Sequence, residues 1–275
     1  MTHSFDFYYT PGGDFSLKGE TGGGYGTPTQ EMVESYELAT GGFADWSEWH
    51  GTTTKAPPYE LLEPRFRASV LYNGAQWKGR SIEPFVGGAD GWCQWNLDRE
   101  PKGRTTTGYY LRKMGDETHD VIAYSGGVQP LMILRYAEVL LNKAEACYRT
   151  QDAAGANAAV RTIRERVELP YEEELAGDQL WEAIRQERKV ELAYEGHWYW
   201  DLRRWRVAHK QYPEGLTGYQ LHGLKIEKNS DGTFTYTYVS VDDQNRNFPE
   251  RMYRFPMPSG ELNNNGAVDQ YPEWK

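Results

Sequence analysis

Apolar residues recur at helical spacing through the middle of the chain. In PLMILRYAEVLLNKAEACYRT they return every three or four positions, which is the spacing of one helix face. The members of this first stripe are Ile133, Ala137, Leu140, Ala144 and Cys147. A second stripe in DAAGANAAVRTIRERV predicts another helix, which ends before Pro170. Its members are Ala156, Val160, Ile163 and Val167.

Two further helices are predicted after these. The third begins near Asp178, a favourable N-cap residue, and is kinked or broken at Gly196. Its aligned residues are Leu180, Ile184, Glu187, Glu191 and Tyr194. The fourth covers HWYWDLRRWRVAH and ends before Pro213. Short helices that follow one another closely predict a mainly α-helical fold of tetratricopeptide-like pairs, although the consensus pattern of that repeat is absent.

The segments that flank the helices carry no sustained period. Residues 1–27 are rich in glycine and are predicted to be irregular, whereas TQEMVESYELA predicts one helix that ends at a Gly-Gly pair. Residues 43–130 are predicted to be long loops with short strands near Phe66–Tyr72 and Tyr109–Lys113. A structureless loop of that length normally counts against such an assignment unless the loop carries function.

Threonine and aromatic residues alternate on one side of an NSDG turn within residues 221–241, which predicts a β-hairpin. The tail after it is rich in proline and asparagine. We therefore expect one domain over residues 1–275. It would comprise a loop-rich, ligand-facing part at 1–130, helical repeats at 131–210, and the hairpin with an irregular tail at 211–275.

Glutamates lie in line with apolar residues on the predicted first and third helices. They are Glu138, Glu145, Glu187 and Glu191. A charge on an apolar stripe is costly unless it is paired, and the planar fork of arginine meets both carboxylate oxygens. The candidate partners are Arg135, Arg188, Arg203 and Arg204. We expect structural ion pairs between helices, carried by Glu138, Glu145, Arg188, Glu191 and Arg203.

Two catalytic or metal-binding interpretations of the same helices are weaker. His197 and Asp201 are spaced as two ligands on one helix face, but no second histidine pair or cysteine cluster lies nearby in the sequence. A pair of glutamates could act as acid and base in glycoside hydrolysis, but the helices are expected to face each other and leave no cleft. We expect neither a metal nor a cofactor.

Composition excludes several classes of function. The net charge is −10 and the pI about 5.2, which argues against binding to nucleic acid and to an anionic membrane surface. Mean hydropathy is −0.79 and no long apolar run occurs, so no membrane-spanning helix is predicted. The start, MTHSFDFYYTPGG, has no basic and apolar regions of a signal peptide. Two cysteines are too few for a disulfide framework.

Aromatic residues are unusually frequent, with 10 Trp and 20 Tyr among 275 residues. Several lie in loops, off any helical or strand period, beside polar residues. Flat rings stack on the apolar faces of sugars, and polar neighbours bind hydroxyl groups. The predicted ligand-binding residues are Tyr25, Trp46, Trp49, Trp77, Trp92, Trp95, Asn96 and Asp98. The alternative is that these tryptophans pack the loops onto the body, as Trp181, Trp198, Trp200 and Trp205 are expected to do on the helices.

ERKVELAYEGHWYWDLRRW, from Glu187 to Trp205, resembles the signature of the SusD/RagB family of nutrient-binding outer-membrane lipoproteins. LRYAEVLLNKAEA and GTPTQEMVESYELATGG also resemble family segments, and RKMGD resembles the segment before the AEVLL helix. EPRFRASVLYNG resembles the family's DPRL segment with Glu63 in place of Asp. ERMYRFPMPSGELNNN and DQYPEW resemble its closing segments, with FPMP at 255–258 where PIP is usual. The resemblance covers nearly all of the chain.

Family members are considerably longer, and their N-terminal part supplies a signal peptide, a lipid-modified cysteine and further helical repeats. None of these is visible here, so the resemblance implies that this chain corresponds to the C-terminal portion. It also implies a non-catalytic protein of the outer-membrane cell surface that captures glycans and delivers them to a TonB-dependent, SusC-like transporter. A membrane attachment would then depend on the N-terminal lipid anchor.

Two other functions stay open at this stage. The chain could be a glycoside hydrolase, with candidate carboxylates Asp45, Glu48, Asp90 and Asp98, although the sequence shows no pair with defined spacing. It could also bind peptides on the same scaffold, because one fold can host different ligands.

Overall fold

The structure, a computed structural model, describes residues 4–94, 104–127, 132–171, 174–212 and 219–275. The helices are α1 (Phe5–Tyr9), α2 (Gly13–Ser16), α3 (Gln30–Val33), α4 (Pro64–Ser69), α5 (Tyr136–Arg149), α6 (Ala153–Arg166), α7 (Gly177–Glu191), α8 (Trp198–Arg204), α9 (Ala208–Gln211) and α10 (Ser259–Asn264). The strands are β1 (Thr52–Thr53), β2 (Val70–Leu71), β3 (Gln76–Trp77), β4 (Arg80–Ser81), β5 (Tyr110–Leu111), β6 (His222–Lys228) and β7 (Phe234–Ser240). Single turns of 3-10 helix lie at Ser47–His50, Tyr59–Leu61, Glu250–Tyr253 and Pro272–Trp274.

The chain divides into two compact units. The larger unit comprises Met1–Glu195 and Leu221–Asp243, and the smaller unit comprises Gly196–Gln220 and Gln244–Lys275. The break after Glu195 falls at Gly196, the glycine at which the sequence predicts that the third helix is kinked or broken.

Three helices of the larger unit pack together. A three-residue connection joins α5 to α6, and α7 packs on both. Asp152 caps α6 by accepting a hydrogen bond from the Gly155 amide at 2.9 Å. Alanines at the centre of the contact let the helices approach closely. The buried cluster consists of Ala144, Ala156, Ala159, Val160, Leu180 and Ile184. The second and third predicted helices are confirmed, whereas the first begins later than predicted, because Ile133 precedes α5 and is exposed.

Buried arginines and glutamates tie α4, α6 and α7 together. Arg65 on α4 donates to Glu187 and to Glu191 on α7, while Arg164 on α6 binds Glu187 at 3.2 Å. Glu191 also accepts hydrogen bonds from Arg135. Burial raises the pKa of Glu191, but the surrounding arginines, Arg135 first, outweigh burial and lower it. The carboxylate is therefore charged and paired at neutral pH.

The partners of these glutamates differ from those named in the sequence analysis. Arg135 is a partner of Glu191, but Arg65 and Arg164 were not anticipated because they come from distant segments. Arg188 donates to Asn142 Oδ1 on α5 at 2.8 Å. Glu138 and Glu145 are half-buried on α5.

The long loops of the larger unit are held by an aromatic core. Tyr59 stacks on Phe66 with ring centroids 5.5 Å apart, and its hydroxyl lies 2.8 Å from the hydroxyl of Tyr109. Trp46 and Trp49 belong to the same core. Large aromatic rings bury much area per residue, so a few of them can order segments that lack regular structure.

The short regular elements correct parts of the sequence analysis. Residues 1–27 include α1 and α2 and are not wholly irregular, and the helix predicted in TQEMVESYELA is limited to α3. Most of Phe66–Tyr72, predicted as a strand, belongs to α4, which Pro64 starts at its first position. The remaining strand residues pair β2 with β5. The predicted hairpin is confirmed as β6 and β7, and β1 adds to the β7 edge.

The smaller unit has its own core. Leu202 on α8, Ala208 on α9 and Phe248 are buried together, with Tyr253 packed against them. The predicted fourth helix is interrupted between α8 and α9, where Arg206 has a φ of 60°, outside the helical region. Trp200, expected to be a packing residue, is 58% exposed.

Arg203, on α8, has polar and aromatic neighbours within the smaller unit. It donates to the Tyr199 hydroxyl and to the Tyr253 carbonyl oxygen, each at 3.2 Å. Within the described residues no carboxylate lies within ion-pair distance of it. The interhelical ion pair of Arg203 therefore stays a prediction, and aromatic rings lie around its guanidinium.

Candidate functional site

A two-residue turn places a lysine beside a pocket in the larger unit. Lys78 and Gly79 connect β3 to β4, and both have positive φ, 47° and 77° respectively. This is the conformation of a type I′ hairpin turn, which favours glycine. The turn directs Lys78 Nζ toward Asp14 Oδ2, at 3.0 Å, and toward the carbonyl oxygen of His119, at 2.8 Å.

Asp14 on α2 accepts hydrogen bonds from three directions. Its Oδ2 lies 2.6 Å from Thr10 Oγ1 and 3.1 Å from the indole nitrogen of Trp77, and its Oδ1 lies 2.8 Å from Arg80 Nη2. Burial raises the pKa of this carboxyl, but the hydrogen bonds from Thr10 and Arg80 and the charge of Lys78 outweigh it and lower the pKa. Asp14 is therefore ionised at neutral pH, and it orients the buried Trp77 ring.

Arg80 joins Asp14 to a second carboxylate. Its two terminal nitrogens lie 2.6 and 2.8 Å from the oxygens of Asp90. Asp90 is fully buried and also accepts hydrogen bonds from the amides of Gly13, at 2.8 Å, and Glu83, at 2.9 Å. Through these hydrogen bonds, the carboxylate of Asp90 holds α2 against the β3–β4 hairpin.

The pocket beside these residues has a volume of about 310 Å³. Its lining is Gly13, Asp14, Leu17, Lys18, Lys78, Arg80 and Glu117–Val121. Lys18 Nζ lies 2.8 Å from Asp120 Oδ2, and both side chains are half-exposed. The pocket thus presents amines, carboxylates and the Thr118 hydroxyl together, a set of donors and acceptors that suits a ligand with many hydroxyl groups.

His119 links the pocket to α1. Its Nδ1 lies 2.9 Å from Asp6 Oδ2, and its Nε2 lies 2.7 Å from the carbonyl oxygen of Tyr124. The hydrogen bond to Asp6 is the main cause that raises the pKa of His119, against a smaller opposing effect of burial. Because both ring nitrogens face acceptors, the doubly protonated imidazolium satisfies this arrangement best.

Three exposed tyrosines lie at α1 or beside His119. Tyr25 is 69% exposed and meets the exposed Tyr8 edge to face, with ring centroids 5.2 Å apart. The loop of Tyr25 can lie on α1 because Gly23 has a φ of 72° and a Cβ there would stand 2.3 Å from the Thr10 carbonyl oxygen. Tyr124, also exposed, lies beside His119. We call Tyr8, Tyr25 and Tyr124 the exposed tyrosines.

The structure places three of the predicted tryptophans in the core. Trp46 is 5% exposed and packs edge to face on Trp49, and the Trp49 indole nitrogen donates to the Lys55 carbonyl oxygen at 3.0 Å. Trp77 is buried below Asp14. A ring enclosed on both faces has no face for a sugar, so this burial supports the packing interpretation. Trp77 keeps an indirect connection to the pocket through Asp14.

The other predicted residues are placed differently. Tyr25 is presented to solvent, and Trp92 is half-buried in an isolated bridge with Thr105. Trp95, Asn96 and Asp98 lie outside the described residues, and ligand binding by them stays a prediction.

Sequence reasoning missed most of the pocket. The Lys78-Gly79 pair between two short strand-forming segments was a hairpin signal that could have been recognised. Asp14, His119 and Tyr124 had no local signal, because only the fold brings α2 and residues 112–127 together.

The chain is similar to known proteins in sequence and in fold. The model of the SusD family, SusD_RagB, matches residues 1–274. The chain belongs to the SusD family. No curated protein matches it significantly.

Solved SusD-like structures share the fold. A SusD-like protein from Bacteroides fragilis is 30% identical, with a TM-score of 0.70, and the match covers 91% of this chain. A second protein from Bacteroides fragilis, described as a SusD-like carbohydrate binding protein, is 24% identical over 86% of this chain, with a TM-score of 0.66. A SusD superfamily protein from Bacteroides vulgatus is 19% identical over 97% of this chain, with a TM-score of 0.54. In each case the match covers 47% of the other chain, so this chain spans about half the length of these relatives.

Across residues 4–94, 104–127, 132–171, 174–212 and 219–275, no three His, Cys, Asp or Glu side chains are grouped so as to hold a metal ion. Over the same ranges no helix combines the length and the apolar character needed to cross a bilayer.

Proposed function

We propose that this SusD-family chain binds glycans without altering them. The binding surface is the pocket at Asp14, Lys78 and His119 together with the exposed tyrosines. One of the solved relatives is described as carbohydrate binding, and the proposal extends that ligand class to this chain.

The observation that carries the proposal is the combination of exposed rings with a polar pocket. Tyr25 and Tyr8 offer ring surface on one side of α1, and Asp6 on the same helix holds His119 in the pocket lining. Apolar faces of sugars stack on such rings, while hydroxyl groups exchange hydrogen bonds with amines and carboxylates. A flat, wet and aromatic surface of this kind suits a saccharide better than an apolar ligand.

The affinity expected from this surface is modest. A stacked ring contributes about 0.5–1.5 kcal/mol, so three rings give roughly 1.5–4.5 kcal/mol. Millimolar affinity corresponds to about 4 kcal/mol. We therefore expect measurable retention by polymers, on which many equivalent sites are available, and weak binding of monosaccharides.

The absence of catalysis is part of the proposal. Asp45 and Glu48 are exposed carboxylates, and their pKa values are lowered, mainly by the Ser47 amide and by Lys55 respectively. A glycosidase needs one carboxylic acid with a raised pKa. Asp90 is buried and bound by Arg80. These three candidates of the hydrolase hypothesis therefore lack the expected character of a general acid, and Asp98 lies outside the described residues.

Native affinity electrophoresis through neutral soluble polysaccharides tests the binding. We expect retardation by at least one polysaccharide, weakened roughly two- to tenfold in Tyr25→Ala and in Tyr124→Ala. Tyr136→Ala is the matched control, because Tyr136 is an equally exposed tyrosine on α5. Equal weakening in all three variants would place the site elsewhere. Competition by peptides in place of oligosaccharides would favour the peptide-binding alternative, and release of reducing sugar would favour a hydrolase.

Delivery to a TonB-dependent transporter at the outer-membrane surface completes the proposal. The support is the membership of the family and the resemblance described above. Co-purification of the tagged full-length protein with a SusC-like transporter from membranes of the source organism tests it. Recovery of the protein from membranes without any transporter would contradict this part and leave the glycan binding intact.

A further inference from the structure

The smaller unit differs in charge from the rest of the chain. It contains eight Lys and Arg residues against six Asp and Glu residues, a formal net charge of +2, while the whole chain carries −10. The larger unit therefore carries −12. The net charge of the two units therefore favours the smaller unit over the larger one for contact with a polyanion.

Arginines of the smaller unit gather around residues 251–255. Arg203 donates to the Tyr253 carbonyl oxygen, and Arg206 lies over the Tyr253 ring, 4.3 Å from its centroid. Arg251 and Arg254 flank Tyr253 in the chain and lie over Trp274 and Tyr271. All are exposed except Arg203, which is half-buried. We call Arg203, Arg206, Arg251 and Arg254 the arginine cluster.

The arginine cluster lacks the carboxylate partners that are usual in the larger unit. Over the described residues, no Asp or Glu oxygen lies within ion-pair distance of any of the four guanidinium groups. The acidic residues nearby have other partners or point to solvent: Asp201 binds Arg204, Glu250 lies 3.8 Å from His209, and Asp269 lies 3.9 Å from Lys275. By contrast Arg65, Arg80 and Arg164 of the larger unit are all bound by carboxylates. The cluster keeps positive charge available to a ligand.

Exposed rings border the same arginines. Phe255 lies 4.6 Å from Arg203, and Tyr199 and Trp200 lie 5.4 and 6.0 Å from it. All three rings are about half exposed or more. Cation–π contact holds each guanidinium plane against a ring, and a guanidinium held in this way can still donate to an anion through its N–H edge. Arg203 already donates to Tyr199 and Tyr253, so the exposed Arg206, Arg251 and Arg254 are the principal donors. Aromatic rings that can stack on the faces of sugars thus lie beside guanidinium groups that can donate hydrogen bonds to anions.

We propose that the arginine cluster, with Tyr199, Trp200 and Phe255, is a second binding surface that recognises the carboxylate or sulfate groups of acidic polysaccharides. It lies entirely within the smaller unit and does not involve the exposed tyrosines. The assignment to a sugar polymer rests on the proposed function, whereas the preference for anions rests on the unpaired arginines. Planar guanidinium groups bind carboxylate and sulfate oxygens in pairs.

Pairs of polymers that differ in charge but share a backbone test the proposal. Polygalacturonate would be compared with its methyl ester, and dextran sulfate with dextran, in affinity electrophoresis of the full chain. We expect retention by a charged member and much weaker retention by its neutral partner. Retention by polygalacturonate would identify carboxylate recognition, and retention by dextran sulfate alone would identify sulfate. Retention should also fall as salt is raised, because these contacts are exposed.

Exposed arginines provide variants that should fold. Arg251→Gln and Arg254→Gln are each expected to weaken retention by the charged polymer roughly fivefold, which is about 1 kcal/mol. Arg149→Gln is the matched control. Arg149 is on α5, and its guanidinium lies 4.4 Å from the centroid of the Trp181 ring, so the substitution removes the same charge from a similar arrangement outside the arginine cluster. Trp200→Ala should weaken retention without changing its salt dependence.

Several results would overturn the inference. Equal weakening in Arg149→Gln would show a general charge effect, and absence of retention by both charged polymers would exclude the surface. Binding to a duplex oligonucleotide or to vesicles of anionic lipid, without binding to either polymer, would give the cluster another partner. The neutral polysaccharides separate the two sites: Tyr25→Ala should affect their binding and Arg254→Gln should not. Failure at one surface is therefore distinguishable from failure at the other.

Discussion

Arg65 and Glu191 are 126 residues apart in sequence, yet Arg65 Nη1 lies 3.0 Å from Glu191 Oε2. The contact joins α4, at the border of the long loops, to the end of α7. Arg135 and Arg166 bind the same carboxylate, at 2.7 and 2.8 Å. A single buried glutamate is thus the shared partner of cations from separate segments.

Replacement of Glu191 by glutamine should strongly destabilise the larger unit. The side chain keeps its size but loses its charge, which leaves buried Arg65 and half-buried Arg135 short of a partner. Loss of one member of a buried ion pair costs about 3–5 kcal/mol. Urea unfolding measures the change. Glu182→Gln on the same helix is the control, because Glu182 is exposed and pairs with Arg185 three residues away, so a change within about 0.5 kcal/mol is expected. If the free energy of unfolding fell by a similar amount in the two variants, the ion pairs of Glu191 would not be the main contribution of this helix to stability.

Gly79→Ala should weaken both the β3–β4 turn and the pocket. Gly79 has a φ of 77°, where an L side chain costs about 1–2 kcal/mol. The turn holds Lys78 near Asp14, so glycan retention should fall together with stability. Gly260 on α10 is a control, since it has open space and an ordinary φ, and Gly260→Ala should be neutral or slightly stabilising. Unchanged retention in a folded Gly79→Ala protein would remove Lys78 from the site.

His119 should make stability depend on pH above neutrality. Its pKa is raised in the fold, chiefly by Asp6, from the ordinary value of 6.5. The stabilisation is therefore complete below about 6.5, the pKa of the unfolded chain, and is lost as pH rises through the higher pKa of the folded chain. Free energies of unfolding measured from pH 5.5 to 9 should decline across this window in the wild type.

Asp6→Asn provides the control for that prediction. The variant keeps a hydrogen-bond acceptor near Nδ1 but removes the negative charge, so the pKa of His119 should fall toward 6.5. A titration of the His119 ring followed by NMR reports this directly. An unchanged pKa in the variant would show that the Tyr124 carbonyl, not Asp6, dominates the shift.

The sequence predicts the helices better than the site, and the reason is physical. Helical spacing is a local property, so Leu180 and Ile184 reveal the buried face of α7 without reference to other segments. The hairpin at β6 and β7 is likewise encoded by alternation and a turn. The family resemblance, carried by several ordered motifs, is confirmed by the match over residues 1–274.

Tertiary relationships escape such local patterns. Nothing around Arg65 indicates that it binds a glutamate 126 residues away, and nothing around Asp14 or His119 indicates that Lys78 contacts both residues. For the same reason, the sequence alone does not show whether an aromatic residue in a loop binds ligand or packs in the core. A tryptophan off any period can be exposed or can be the anchor of its loop, and only packing decides between the two.

Trp46 therefore provides a test that separates packing from binding. Its ring is 5% exposed and contacts Trp49 and Tyr59 in the core, so Trp46→Ala should cost about 3–5 kcal/mol through the cavity it creates. Urea unfolding measures this cost, and electrophoresis through the bound polysaccharide measures retention in the same preparation. Trp92→Ala is the comparison, because Trp92 is half-buried and its removal should cost less.

If Trp46→Ala kept the stability of the wild type but lost retention, the Trp46 ring would contact the ligand, and the loop around it would have to open. We expect the opposite: any loss of retention in Trp46→Ala should follow the loss of stability, while Tyr25→Ala loses retention in a fully stable protein.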